Sequence, residues 1–241
     1  MAFGLIEIPL LPEVRETFAG TSWLLESLDP DRPHQLSQSV SWHGRLMVLA
    51  WSVLFPAGII AARFFKITPR QTWPDELDNK TWWYLHLTLQ YLGGTAMLAG
   101  FLMIWLGSGG NPAAPYHRMF GYGVITFGLL QFVAGWLRGT KGGPTDPGPD
   151  GSISGDHYDM TPRRRIFETC HKLVGYGVLL VASATLWSGL LTVNAPNWMW
   201  GVLAVWWSVL IAVFVILQRR GYAVETYQAI WGPREGRNIT R

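Results

Sequence analysis

His117 to Val124 reads H-R-M-F-G-Y-G-V, and His171 to Val178 reads H-K-L-V-G-Y-G-V. Six of these eight positions match in identity or charge, and each copy opens a long apolar run. A glycine follows each histidine by four positions, Gly121 and Gly175, and so lies one turn along the same helix face. An imidazole beside bare backbone leaves room for a flat, bulky partner, or for close packing of a second helix. His43 and His86 stand near the starts of two earlier apolar runs.

The runs around these histidines decide the fold class. No charged residue occurs in 46–62, 81–117, 119–137 or 173–218. Uncharged apolar spans of about 20 residues, or multiples of that, are membrane-helix signals. Asn194-Ala195-Pro196-Asn197 breaks the last span into two. The expectation is an all-α membrane protein with five transmembrane helices: about Val40–Phe65, Thr81–Leu106, Ala114–Leu137, Arg164–Thr192 and Trp198–Arg219. The first four are expected to form a four-helix bundle. Residues 1–39 read as an extracytoplasmic segment, 40–220 as the transmembrane domain and 221–241 as a cytoplasmic tail.

Charge sets the orientation. The first loop (Arg63, Lys66, Arg70, Lys80), the third connection (Arg138, Lys141, Arg163, Arg164, Arg165) and the tail (Arg219, Arg220, Arg234, Arg237, Arg241) fall on one side. The other side has Arg15 and Arg32 among six acids, with Arg45 and Arg118 at helix mouths. By the positive-inside rule the basic side is cytoplasmic and the N-terminus lies outside, in a plasma or inner membrane. Because the basic residues gather at helix ends, the net charge of +3 speaks for membrane orientation and not for nucleic acid. One cysteine, Cys170, excludes an internal disulfide or a CxxC motif and reads as packing. Met1 to Pro12 lacks a basic start and a small-residue cleavage site, so no cleaved leader is expected. Loop 139–161, rich in Gly, Pro and Asp, is expected to be irregular. Tryptophans 42, 73, 82, 83, 198 and 200 flank helix ends and read as interfacial belts. His34 and His157 read as surface residues, Tyr122 and Tyr176 as packing.

Each of the four helical histidines stands 20 or 21 residues from the far end of its helix, or about 30 Å at 1.5 Å per residue. Successive helices are antiparallel, so His43 and His117 share the outer side while His86 and His171 share the cytoplasmic side. Two protein ligands per site is too few for structural or catalytic zinc. An iron porphyrin supplies four nitrogens of its own and needs two axial ligands, which facing helices of a bundle provide. The expectation is two b haems, held by His43/His117 and His86/His171. With both axial positions filled, the iron passes single electrons. Alternatives remain at this stage: interhelical hydrogen-bonding histidines, or a proton or ion path, which the lack of Asp and Glu in the runs disfavours. Arg45 and Arg118 near the outer pair, and Lys172, Lys80 and Arg164 near the inner one, suit haem propionates, or simple snorkelling.

These residues resemble the cytochrome b561 family over about 40–220, in the version often found behind a DOMON domain. The resemblance rests on His43-Gly44, Met47, Trp51, Pro56, Gly58 and Arg63 in helix one and Trp82, Tyr84, Leu85-His86 and Gln90 in helix two. It continues with His117-Arg118, Gly121 and Gln131, then His171-Lys172, Gly175 and Gly189. It implies bis-histidine haem b and electron transfer across the membrane. Ascorbate, quinol or a redox protein would be the donor, with ferric- or monodehydroascorbate-reductase activity. No DOMON domain and no extra leading helix is expected in the first 40 residues, and no ascorbate pocket is matched. A second reading is a haem-bearing anchor or docking subunit of a larger respiratory assembly, and a transporter is a third. Expected partners are the bilayer and small redox molecules or a redox protein, with a homodimer or larger assembly as a further expectation.

Overall fold

The computed structural model describes residues 22–34, 36–76, 79–107, 114–138, 146–147, 153–154 and 162–231. Arg15, Lys141, His157, Arg234, Arg237 and Arg241, most of loop 139–161 and most of residues 1–39 up to 21 lie outside them. Five helices are long and apolar enough to cross a membrane: α1 Gln38–Phe64, α2 Thr81–Leu106, α3 Pro115–Trp136, α4 Pro162–Thr192 and α5 Asn197–Arg219. Each starts and ends within two residues of the expected span. A short α6, Thr226–Trp231, follows, and Asp146–Pro147 pairs with Ile153–Ser154 as a two-residue antiparallel ladder. The protein is an all-α multi-pass membrane protein, and large apolar side chains such as Leu180 (74% exposed) and Val205 (65% exposed) face outward. In lipid such exposure carries no hydrophobic penalty, while helices satisfy their own backbone.

α1 starts at Ser37, whose hydroxyl accepts from the Val40 amide at 3.3 Å, an N-cap that occupies one orphan donor. Its middle is not plain α-helix. Leu49–Leu54 is a π-helical turn, in which the Phe55 amide reaches back five residues to the Ala50 carbonyl. Pro56 explains part of this, because it has no N–H to give the Ser52 carbonyl four residues earlier. The indole N–H of Trp206 on α5 fills that vacancy at 2.6 Å, as a buried carbonyl requires.

α1 and α2 form one antiparallel hairpin, α3 and α4 a second. Between them lies a mid-depth core around Trp51, Phe55, Met97, Val124 and Val178. Bare backbone lets the halves close up: a Cβ on Gly94 would stand 2.7 Å from the Phe132 ring. α5 packs outside the bundle, where Phe64 and Phe214 meet edge-on at 5.0 Å and Arg63 donates to the Gln218 carboxamide at 2.9 Å.

Both ends of α5 are tied down. At its C-terminus Gly221 takes φ +75°; Tyr222 donates to Leu217 O at 3.2 Å and Gly221 to Gln218 O at 3.2 Å. This paired bonding reverses the chain, sending 222–231 back across the end of the bundle that also holds the first loop. At the opposite end Asn194, buried with φ 50°, makes the α4–α5 turn. Its amide donates to Asp29 O at 2.8 Å and to Arg32 O, and its oxygen accepts from Asp29 N at 3.1 Å. Arg32 donates to Leu191 O at 2.9 Å, placing a cation on the carbonyl end of α4 where the helix dipole favours it. His34 sits 2.8 Å by Nδ1 from Val193 O, so it pins this strap instead of standing free on the surface.

Candidate functional site

The four helical histidines fall at two levels. His43 on α1 donates from Nδ1 to Gly100 O on α2 at 2.9 Å, and His86 on α2 donates to Gly58 O on α1 at 2.9 Å. His117 on α3 donates to Thr185 O on α4 at 3.1 Å, with Ser188 Oγ at 3.2 Å. A carbonyl only accepts, so each of these rings donates a proton from Nδ1, which in a neutral imidazole leaves the lone pair on Nε2. That is the tautomer of a metal-ligating histidine with its second nitrogen anchored. Gly100 follows His86 by 14 residues on α2, and Thr185 follows His171 by 14 on α4. In both hairpins the two levels therefore stand about 21 Å apart.

At the level named outer after the orientation expected from charge, the rings of His43 and His117 have centres 6.2 Å apart and planes at 83°. Two imidazoles that share one metal through bonds of about 2 Å, each ring adding about 1 Å to its centre, span about 6 Å. The pair therefore fits an axially held metal. Among the described residues no three His, Cys, Asp or Glu side chains converge, so a metal here brings the rest of its ligands with it. A Cβ on Gly189 would stand 3.0 Å from His117 Cε1, so glycine there sets how deep that ring sits.

At the inner level His86 and His171 line one cavity of about 810 Å³, together with Trp51, Gln90, Gln131 and Phe167. Phe167 stacks on His171 at 5.0 Å. A volume of this order suits a large planar group. The expected glycines sit beside open space: nothing lies within 4 Å of a Cβ placed on Gly121, and only Gln131 Oε1, at 3.9 Å, on Gly175.

The inner mouth is basic and largely paired. Lys172 bonds Glu225 at 3.0 Å and stands 3.7 Å from Glu168, so its ammonium is shared between two carboxylates at the rim. Arg164 is buried against Glu168 at 3.2 Å. Lys66 is buried, donating to Val224 O at 2.8 Å and Thr226 Oγ1 at 3.1 Å; burial, aided by the Lys172 charge, pushes its ammonium down to about 8. Burial pushes the Glu225 carboxyl up, but the Lys172 hydrogen bond and nearby cations outweigh it and hold it below the usual range. Arg138 covers the Trp83 ring at 3.9 Å, a cation–π contact. At the outer end Arg45 stands 5.2 Å over Trp42, and Arg118 is exposed beside His117.

Several expectations need correction. Cys170 is exposed and not packed. Trp82 is buried (6% exposed) under Lys66 instead of lying in an interfacial belt. Tyr122 is 44% exposed. Lys66, Arg138 and Glu225 were not singled out as site residues. Lys66 and Arg138 were visible as cations at helix ends, but the burial of Lys66 depends on its bonds to the returning segment 222–231.

Curated relatives resemble the chain, three of them as follows. A cytochrome b561, DM13 and DOMON domain-containing protein of Arabidopsis thaliana is 28% identical over 155 residues, 64% of this chain and 15% of that protein. A cytochrome b561 and DOMON domain-containing protein of the same plant is 27% identical over 167 residues, 68% of this chain and 34% of the other. Ferric-chelate reductase 1 of Bos taurus is 28% identical over 150 residues, 61% of this chain and 22% of that protein. The chain thus spans at most about a third of the length of these relatives. No protein-family model matches it, and no solved structure matches.

Proposed function

We propose that this chain, a member of the cytochrome b561 family, holds two b haems and passes single electrons from one face of the membrane to the other. The observation that carries the reading is the outer pair: two imidazoles at 6.2 Å, one from each hairpin, each fixed through Nδ1 to a carbonyl of its neighbouring helix. His43 and His117 would hold the outer haem, His86 and His171 the inner one. When bound, a haem held by two imidazoles would supply one-electron transfer between its ferric and ferrous forms, with no open position for a substrate.

The residues around it bind, orient and exclude water. Gly100, Gly58 and Thr185 carbonyls hold three of the rings in the ligating tautomer. Gly121 and Gly175 leave room for the porphyrin face, and Trp51 and Met97 fill the core between the two levels. Arg45 and Arg118 serve the outer propionates, with Lys172 at the inner mouth. Residues 40–220 form the electron-carrying domain, 1–39 an outer segment and 221–241 a cytoplasmic tail, in a plasma or inner membrane. The name of one relative, ferric-chelate reductase 1, supports a ferric complex as one acceptor class; ascorbate, a quinol or a redox protein is the proposed donor.

A reduced-minus-oxidised spectrum of the pure chain, with haem and protein quantified together, tests this. The expected result is two b haems per chain, with one lost on His86→Ala and the other on His117→Ala. One haem or none in the unsubstituted chain overturns it.

A further inference from the structure

Three of the four histidines have a partner for Nδ1; the fourth does not. His171 Nδ1 is buried without a hydrogen-bond partner, and so is the Gln131 side-chain oxygen. The two atoms belong to facing residues. Gln131 follows His117 by 14 residues on α3, and His171 precedes Thr185 by 14 on α4. The antiparallel register that sets Thr185 against His117 therefore sets Gln131 against His171. Both line the inner cavity. The Gln131 oxygen leans one turn inward, 3.9 Å from a Cβ placed on Gly175, and a glycine there leaves its carboxamide space to swing.

We propose that Gln131 is the positioning residue of the inner site: its carboxamide oxygen accepts the His171 Nδ1–H and so does with a side chain what main-chain carbonyls do for His43, His86 and His117. Two buried orphans facing one another each cost a desolvation penalty that one hydrogen bond removes. A carboxamide also differs from a main-chain carbonyl in being adjustable. The acceptor makes His171 Nε2 a stronger donor, favours the ferric form and lowers the potential of the haem it serves. The inner and outer sites thereby differ in a way that residue 131 controls.

The inference rests on the di-haem reading above, and the test separates the two. The haem-loaded full chain is titrated potentiometrically in three forms: unsubstituted, Gln131→Leu (similar size, no acceptor) and Gln131→Glu (acceptor kept). With Leu, one of the two components is expected to move to higher potential, with an altered ferric electron paramagnetic resonance signal. Its haem is lost to a scavenging apoprotein about tenfold faster, the scale at which outer-shell partners act. With Glu, a stronger acceptor, the same component is expected to move to lower potential, and a component that holds its place overturns the role of Gln131 even if the Leu variant fails to fold. Two components that titrate alike in all three forms, or that shift together, overturn the role of Gln131 while the two haems stand. Fewer than two components in the unsubstituted chain overturn the di-haem reading instead.

Discussion

Trp206 donates its indole N–H to the Ser52 carbonyl at 2.6 Å, across the boundary between the outermost helix and the bundle. The residue four on from that carbonyl, which would be its α-helical donor, is Pro56 and has no N–H. Trp206→Phe is expected to lower stability by about 1–3 kcal/mol, the penalty of a buried unsatisfied acceptor. In a Pro56→Ala background the helix can supply its own donor, so the cost of Trp206→Phe should shrink. A thermal-unfolding double-mutant cycle in detergent checks this; additive effects would sink it.

Gly189 borders His117, with a Cβ there lying 3.0 Å from its Cε1. The imidazole is held by Thr185 O and Ser188 Oγ and cannot retreat freely. On the proposed di-haem reading, Gly189→Ala is expected to weaken retention of the haem at His117 about tenfold or more while leaving the other in place. Haem stoichiometry and release kinetics measure it; equal loss of both haems would refute the assignment.

Lys66 binds its proton less tightly in the fold, at about 8, than in the unfolded chain, at 10.5. Between those values the unfolded chain holds more protons, so this group makes stability rise as pH increases from about 8 to 10.5. Lys66→Met is expected to raise stability at pH 7 by about 2–3 kcal/mol, less the lost bonds to Val224 and Thr226, and to flatten that rise. Melting temperature against pH for the two proteins decides it.

Asn194 makes three hydrogen bonds to Asp29 and Arg32 from a left-handed turn. Asn194→Gly keeps the backbone conformation and removes those bonds. Amide exchange and proteolysis are expected to increase through residues 22–34, with helix α4 unaffected up to its last turn. Unchanged protection of the strap would show that Arg32 and His34 hold it alone.

The five helices were legible because charge-free runs and Asn194–Asn197 mark their ends without reference to anything distant. The closeness of the His43 and His117 rings was legible too, since it needs only antiparallel order and the rise of a helix. The π-helical turn was not, although Pro56 sits in plain view: its completion depends on Trp206, 150 residues further on. The burial of Lys66 was hidden for the same reason, because segment 222–231 returns to bond it, and Trp82 lies beneath that lysine. Cys170 misled because residue type alone does not say which side of a helix faces lipid.

Each facing pair draws one imidazole from each hairpin, never two from the same one. On the proposed reading, a group bound between such a pair joins the two hairpins like a rivet, and two of them about 21 Å apart resist both sliding and rocking. Their extraction should then register as mechanical loosening along the seam between the hairpins before any helix unwinds.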